Sequence, residues 1–228
     1  MMHRRHTLVW LDGDGIEYAA RSAHSLFPTA PEKMASELVR SGIPGIVRRQ
    51  ENPRDDILEL GFSSCEYFNG VRFRAIAEAP VSAITRTMTP SEVLVTFDYT
   101  AYPAGSLIGP LLVFAGQLRL SLGVYGSTAM QLVTALPYCH PDSDLDLYLE
   151  CVSGGGLKDF HDAVIKMEEK TSIRLDVELD IGGGYAVKLK ELYQGQKTIL
   201  AKGYGDISLF LCSDIISRIS FSEESYAF

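Results

Sequence analysis

The stretch "YGSTAMQLVTALPYCHPDSDLDLYLE", Tyr125–Glu150, joins a Gly-Ser turn, an apolar run with helical spacing and a strand that carries two aspartates. Side chains alternate between the two faces of a strand. In "SDLDLYLE" the leucines therefore face a core, and Asp144 and Asp146 share the other face. Neighbouring carboxylates repel each other, and a hard divalent cation such as Mg²⁺ takes oxygen ligands. The strand therefore predicts a metal site.

Gly126 and Ser127 predict an anion site ahead of that strand. A strand that ends in Gly-Ser where a helix begins exposes backbone N–H groups, and the helix dipole favours an anion there. Glycine also lets a phosphate approach the backbone closely. Thr128 and Gln131, in "TAMQLVTAL", have the spacing of a capping box. The turn is thus predicted to hold a phosphate tail, and the aspartates are predicted to hold metal ions on it.

A second strand, "IRLDVELDI", carries Asp176, Glu178 and Asp180 on one face. If the two strands are neighbours, a third carboxylate joins the first two, and three carboxylates can hold two metal ions for phosphoryl or nucleotidyl transfer. Asp176 and Glu178 have the same parity, so the pattern does not decide which is the third acid. Alone, a Gly-Ser pair is a common turn and a D-x-D strand is usually a solvated face. The order of the motifs makes the combination specific.

Composition narrows the class of protein. The 228 residues are 46% hydrophobic, which is enough for a core. The formal net charge of −8 disfavours binding to a nucleic-acid polymer, which needs a basic surface. The sequence predicts neither a membrane-spanning helix, because no run reaches ~20 apolar residues, nor a signal peptide. Its four cysteines form no C-x-x-C pair, which indicates reduced thiols and a cytoplasmic protein.

The remaining patterns predict elements and two domains. "TLVWL", "GIVRRQ" and "VRFRAIA" are typical of strands, and "PEKMASELVRSG" is typical of a helix. "GPLLVFAGQLRLSL" predicts a helix with Pro110 at its first position. "YAVKLKEL" fits either a strand or the start of a helix. Pro80, Pro90 and the polar interval near them predict a domain edge, with an N-terminal domain at 1–85 and a catalytic domain at 86–228.

The GS…D-x-D pattern with a later acidic strand resembles the nucleotidyltransferase superfamily, whose fold is a small mixed sheet with helices. The fuller text is similar to phosphoribosyl-dephospho-CoA transferases, the holo-acyl-carrier-protein synthases of malonate decarboxylase. The resemblance runs from about His6 to Phe210, through "RRHTLVWLD", "GIPGIVRRQ", "IRLDVELDIGGGYAVKLKEL" and "TILAKGYGDISLF". It predicts an α+β protein, with a nucleotidyltransferase-like mixed sheet with helices and a smaller N-terminal α/β domain.

The resemblance also implies a reaction. The family takes 2′-(5″-triphosphoribosyl)-3′-dephospho-CoA and attaches phosphoribosyl-dephospho-CoA to a serine of the apo acyl carrier protein subunit of malonate decarboxylase, releasing pyrophosphate. In the predicted mechanism, one Mg²⁺ helps to deprotonate that serine for in-line attack on the α-phosphorus. The other Mg²⁺, with the GS amides and Lys202, neutralises the leaving pyrophosphate.

By position, the resemblance assigns the site residues. The family's GS corresponds to Gly126 and Ser127, and its paired catalytic aspartates correspond to Asp144 and Asp146. These two aspartates are also predicted metal ligands. The third acid best matches Asp176, although the same parity keeps Glu178 as the alternative.

Three cations complete the prediction. Lys202 matches a lysine in the family's C-terminal block and is predicted to meet the triphosphate. Arg48 and Arg49 stand in tandem in "VRRQ" and are predicted to serve the substrate's phosphates, which arginine meets with bidentate hydrogen bonds, although surface arginines are usually only solvated. Neighbours on a strand point to opposite sides, so at most one of the two is predicted to reach the ligand directly.

Two other functions compete with this one. The first is a nucleotidyltransferase that modifies a small molecule or another protein with a nucleoside monophosphate. The second is a catalytically inactive nucleotidyltransferase fold that acts as a binding module. Modules of that kind usually lose one of the paired acids, and both Asp144 and Asp146 are present here.

Overall fold

A computed structural model describes residues 4–102, 105–151 and 156–221. The chain divides into two compact units. The N-terminal unit runs to Thr89 and takes in two short segments from later in the chain, Leu136–Tyr138 and Tyr204–Asp206. The C-terminal unit holds the remainder. The motif stretch 125–150 therefore lies in the C-terminal unit, apart from Leu136–Tyr138.

The N-terminal unit is built on six strands and two helices: β1 Leu8–Leu11, α1 Gly13–Ser22, β2 His24–Ser25, α2 Glu32–Arg40, β3 Gly45–Val47, β4 Ile57–Phe68, β5 Val71–Pro80 and β6 Ile84–Met88. The order across the sheet is β2-β5-β4-β3-β1-β6, and these neighbours pair antiparallel. Both helices pack against β5. The predicted strands β1, β3 and β5 and the predicted helix α2 are confirmed.

The long β4–β5 hairpin organises this unit. It turns at Asn69 and Gly70, which both have positive φ (51° and 76°), the conformation that a two-residue type I′ turn requires. Alternate residues of β4 enter the core, with Leu58, Leu60 and Phe62 at most 3% exposed. The Asn-Gly pair therefore sets the pairing next to the turn, and an irregularity between Ser63 and Tyr67 shifts the register before the buried residues of β4.

The C-terminal unit contains the second sheet. Its elements are α3 Pro90–Thr96, α4 Gly105–Gln117, β7 Leu120–Val124, α5 Gly126–Thr134, β8 Leu145–Cys151, α6 Leu157–Thr171, β9 Leu175–Gly182, β10 Tyr185–Lys188, α7 Leu189–Leu192, β11 Thr198–Lys202, β12 Ile207–Leu211 and α8 Cys212–Phe221. The sheet runs β7-β8-β9-β10-β11-β12. Among the described strands of this sheet, β8 and β9 are the one parallel pair, and α6 connects them. The predicted α+β class with a mixed sheet is confirmed.

The two faces of β8 and β9 carry different kinds of side chain, aliphatic residues on one and the acids on the other. Leu145, Leu147 and Leu149 on β8 are at most 1% exposed, as alternation predicts. Phe160 and Val164 of α6 are fully buried too. Burial of an aliphatic side chain contributes about 1.5–3 kcal/mol, and a one-residue slip would turn every leucine to the other face. The apolar residues therefore fix the aspartates on the opposite face.

The prediction for Pro110 is wrong. Helix α4 begins at Gly105, so Pro110 lies inside the helix instead of at its first position. The later part of the quoted run, "LRLSL", belongs mainly to β7, after Arg119 adopts a positive φ of 58°. At Gly105 the packing is close, because an added Cβ would lie 2.2 Å from the Tyr99 carbonyl oxygen. This contact between residues is invisible to a local pattern.

The cysteines and helix lengths add two observations. Cys65, Cys139 and Cys212 are free thiols, and the side chain of Cys151 lies outside the described residues. Within the described ranges, no helix has both the length and the apolar character needed to cross a membrane.

Candidate active site

Asp146 and Asp176 lie side by side on the parallel strands β8 and β9. The register pairs Asp146 with Asp176 and Tyr148 with Glu178. Neighbouring strands are about 4.8 Å apart, so the first two carboxylates rise from adjacent backbone positions on the same face. Asp176 is therefore the acid next to Asp146, whereas Glu178 lies one pair further along.

Gly126 lies directly against Asp146. A Cβ added at Gly126 would be 2.0 Å from Asp146 Oδ2, and the residue has a φ of +63°. Both features require glycine, because a side chain would collide with the carboxylate and would strain this backbone conformation. The sequence predicted this glycine as a site of phosphate approach. The structure adds that it also makes room for the aspartate.

Helix α5 begins at Gly126, with Tyr125 at the N-cap position and no capping hydrogen bond from its side chain. The predicted capping box of Thr128 and Gln131 is wrong. Thr128 is the third residue of the helix and is 3% exposed, while Gln131 Oε1 accepts a hydrogen bond from Cys139 N at 2.6 Å. Gln131 therefore holds the following loop instead of the helix start.

Cations accompany the carboxylates. Arg174 forms an ion pair with Asp144. The Nζ of Lys188 lies 2.6 Å from Asp176 Oδ2 and 3.3 Å from Glu178 Oε1. Lys202, the predicted triphosphate ligand, lies 3.8 Å from the same Glu178 oxygen. Its side chain is 44% exposed.

Lys188 and Arg174 were not predicted as site residues. Arg174 has the same parity as Asp176 and immediately precedes β9, so alternation could have placed it on the acidic face. Lys188 ends β10, where it pairs with Glu178 across an antiparallel hairpin. The "GGG" turn followed by "YAVK" could have indicated a hairpin that brings Lys188 to the acidic strand. Because "YAVKLKEL" fits either a strand or a helix, the sequence did not predict how this strand pairs with β9. The structure has both elements there, β10 followed by α7.

Asp146 is partly buried beside other acids, and its pKa is raised as a result. Burial, and then the negative charge of Asp176, raise the pKa of Asp146 to about 7, while Lys188 opposes the rise. Asp144 and Glu178 add to the increase. Burial disfavours the charged form of this carboxyl group, and the neighbouring acids add to that effect.

A hard divalent cation suits this donor set, because every candidate ligand is a carboxylate oxygen. After burial, the negative charge of Asp176 is the second cause of the raised pKa of Asp146, and a cation bound between the two carboxylates would oppose it. As the side chains stand in residues 4–102, 105–151 and 156–221, no three His, Cys, Asp or Glu groups converge closely enough to hold an ion. The ion pairs explain this, since Arg174 holds Asp144 and Lys188 holds Asp176. The chemistry of these residues fits a metal ion, and a bound cation would either displace Arg174 and Lys188 from the aspartates or share the carboxylates with them.

Arg48 and Arg49 belong to the N-terminal unit, directly after β3. Arg48 is 3.2 Å from Glu59 Oε2 and 3.4 Å from Glu51 Oε1. Its guanidinium is thus partly neutralised by carboxylates of its own unit. Substrate binding by this pair stays a prediction.

Family models identify both parts of the chain. Residues 4–90 match the phosphoribosyl-dephospho-CoA transferase MdcG N-terminal domain, and residues 99–211 match the MdcG C-terminal domain. The chain belongs to the phosphoribosyl-dephospho-CoA transferase family. The predicted resemblance is confirmed, and the protein is a transferase.

Individual members of this transferase family match over different lengths. The phosphoribosyl-dephospho-CoA transferase of Xanthomonas axonopodis pv. citri is 26% identical over 209 residues, covering 91% of this chain and 94% of its own. The Pseudomonas aeruginosa protein of the same name is 32% identical over 130 residues, covering 54% and 59%. No solved structure gives a significant match.

Proposed function

We propose that this transferase moves phosphoribosyl-dephospho-CoA from 2′-(5″-triphosphoribosyl)-3′-dephospho-CoA to a serine of the malonate decarboxylase acyl carrier protein, in the cytoplasm. Both family models and the names of the relatives support the transferred group. The observation that carries the chemistry is the in-register pair Asp146 and Asp176, set against the first residue of helix α5.

The proposed metal ligands are Asp144, Asp146 and Asp176. Mg²⁺ bound to their oxygens would supply Lewis-acid stabilisation of the charge that develops on the phosphates. Glu178 is the weaker candidate, because it pairs in register with Tyr148 and lies within 4 Å of two lysines.

The chain's own groups bind and orient the phosphates. The first N–H groups of helix α5 have no carbonyl partner within the helix, so at Gly126 and Ser127 they can donate to phosphate oxygens. Lys202 is oriented by the buried Glu178 and is exposed enough to meet an anion. In the transfer, the serine Oγ–P bond forms, the bond from phosphorus to pyrophosphate breaks, and the serine loses its proton.

Intact-protein mass spectrometry tests this function. Apo carrier protein would be incubated with the enzyme, Mg²⁺ and the triphosphoribosyl precursor, and in parallel with each nucleoside triphosphate. We expect a carrier mass increase equal to phosphoribosyl-dephospho-CoA in the first reaction alone, together with released pyrophosphate. Addition of a nucleoside monophosphate instead would identify a different nucleotidyltransferase. An unmodified carrier in every reaction would contradict the proposal.

The variant Lys202→Ala tests binding of the triphosphoribosyl precursor separately from binding of the carrier protein. We expect it to weaken precursor binding, since a hydrogen bond to a charged group contributes roughly 1.5–3 kcal/mol. Binding of the carrier protein should change little. Calorimetric titration of each ligand provides the measurement, and Lys197→Ala, an exposed lysine just before β11, is the matched control.

A further inference from the structure

Lys188 lies among the charges of the candidate site, with three oxygen atoms close to its ammonium group. Its Nζ is 2.6 Å from Asp176 Oδ2, 3.3 Å from Glu178 Oε1 and 3.3 Å from the Tyr125 hydroxyl. An ammonium group has three N–H donors, so these three acceptors are enough to satisfy it. The side chain is 24% exposed, which partly shields its ion pairs from solvent.

The sheet fixes this arrangement. Lys188 and Glu178 are cross-strand partners on β10 and β9, and Glu178 is 3% exposed. A carboxylate buried to this extent is strongly destabilising unless cations or hydrogen bonds compensate it. Lys188 and Lys202 both lie within 4 Å of it. Glu178 therefore pairs with the two lysines. Asp176 is the carboxylate that both Lys188 and a metal ion can bind.

We infer that Lys188 is the internal counter-ion of the metal site, a positioning residue that competes with the divalent cation for Asp176. The inference rests on the proposed function, in which Asp176 is a metal ligand. A cation that binds Asp146 and Asp176 must displace the ammonium group from Asp176 or share the carboxylate with it. Lys188 therefore weakens cation binding. Through Tyr125, the residue before Gly126, it also ties the helix start to the acidic strand β9.

The test compares two lysines that differ in their neighbours. Lys188→Met removes the charge beside Asp176. Lys190→Met is the control, because Lys190 is 25% exposed and lies 2.5 Å from Glu168. Both variants change the net charge equally. At fixed pH and ionic strength, calorimetric titration with Mg²⁺ and with Mn²⁺ should show about tenfold tighter binding by Lys188→Met and a change within about twofold for Lys190→Met.

Two further readouts separate this role from others. In EDTA, Lys188→Met should unfold at a lower temperature than wild type, and Mg²⁺ should restore most of the loss. At saturating Mg²⁺, its affinity for pyrophosphate should stay near that of wild type. If Lys188→Met does not fold without a cation, Lys188→Gln keeps hydrogen-bond donors without the charge and undergoes the same titrations.

Several outcomes would overturn the inference. Equal or weaker cation binding by both Lys188 variants would exclude competition. Pyrophosphate affinity reduced more than about tenfold at saturating Mg²⁺ would instead make Lys188 a phosphate ligand. Failure of the proposed function is distinguishable, because the carrier would remain unmodified while the cation titrations still separated Lys188 from Lys190. If wild type binds no cation, both the metal site and the competition fail.

Discussion

Three structural features fix the position and surroundings of the Asp146 side chain. The leucines on the opposite face of β8 fix its direction, Gly126 leaves the space that its carboxylate fills, and Asp176 rises from the neighbouring strand. Packing and strand pairing therefore fix the position of Asp146. They also place its carboxyl group next to that of Asp176. Substitution of Asp146 should therefore change activity and stability to different extents.

Replacing either paired aspartate should abolish transfer while the fold persists. Asp144→Ala and Asp146→Ala remove carboxylates that face away from the leucine side, so little packing is lost. Loss of metal-based charge stabilisation should lower turnover on the order of 10³-fold or more. Carrier modification followed over time at fixed Mg²⁺ measures the effect, with the exposed loop variant Asp142→Ala as control. Near wild-type turnover in either variant would show that the site is assigned wrongly.

The raised pKa of Asp146 predicts a pH-dependent stability in the metal-free protein. An aspartate in an unfolded chain titrates near pH 3.9. Between about pH 4 and pH 7 the native state therefore keeps a proton at Asp146 that the unfolded state has released. Stability falls as pH rises through this window, because the unfolded state binds fewer protons.

Asp146→Asn should remove that loss. In EDTA we expect the variant to exceed wild type in free energy of unfolding by on the order of 2 kcal/mol at pH 8, after allowance for partial solvent screening. The difference should nearly vanish at pH 4. Denaturant unfolding at pH 4, 6 and 8 measures it. A difference that is constant with pH would mean that Asp146 titrates normally.

Gly126 and Ser127 should differ in what they tolerate. Gly126→Ala places a Cβ against the Asp146 carboxylate at a positive φ, which costs roughly 1–2 kcal/mol from the backbone alone. Ser127→Ala removes one hydroxyl and keeps the backbone amides, a loss of about 0.5–1.5 kcal/mol of binding. We expect the Gly126 variant to be less stable and less active. The double variant Gly126→Ala/Asp146→Ala should regain part of the stability, and a purely additive result would exclude the contact.

At the scale of elements, the sequence predicted which side chains share a face of a strand, but it did not predict how neighbouring strands align. The parity of Asp144, Asp146 and Asp176 predicted which face they share, because the leucines between them must be buried. Parity could not choose between Asp176 and Glu178, since the choice depends on how β8 and β9 align across the α6 crossover. The Lys188 contacts depend in the same way on the β9–β10 register. The capping box failed because α5 begins two residues before Thr128.

The two faces of the C-terminal sheet should respond differently to truncation. Leu147 is 0% exposed, so Leu147→Ala should cost about 2–5 kcal/mol of stability. Leu209 on β12 is 71% exposed, and Leu209→Ala should change stability by less than about 0.5 kcal/mol. Thermal and denaturant unfolding of the pair provide the comparison. Similar losses in both would contradict the packing of β8.

For the whole molecule, net charge describes the site poorly. The chain carries −8, yet its proposed substrate is a polyanion. The described cations Arg174, Lys188 and Lys202 lie at the acidic cluster, so the local charge balance differs from the total. Composition disfavours a nucleic-acid polymer as a partner, but it could not predict these ion pairs, because they depend on the register between separate strands.

The route of the chain has a practical consequence for making the protein in pieces. The Tyr138 hydroxyl donates to Ser63 O at 2.7 Å, and Tyr204 O accepts a hydrogen bond from Gln50 N at 2.7 Å. Tyr138 is only 1% exposed. A fragment of residues 90–228 would carry both tyrosines without these partners, so we expect it to aggregate when expressed alone and to become soluble when co-expressed with residues 1–89. Sedimentation of the fragment with and without its complement measures this, and a monodisperse fragment 90–228 on its own would show that the two segments are dispensable.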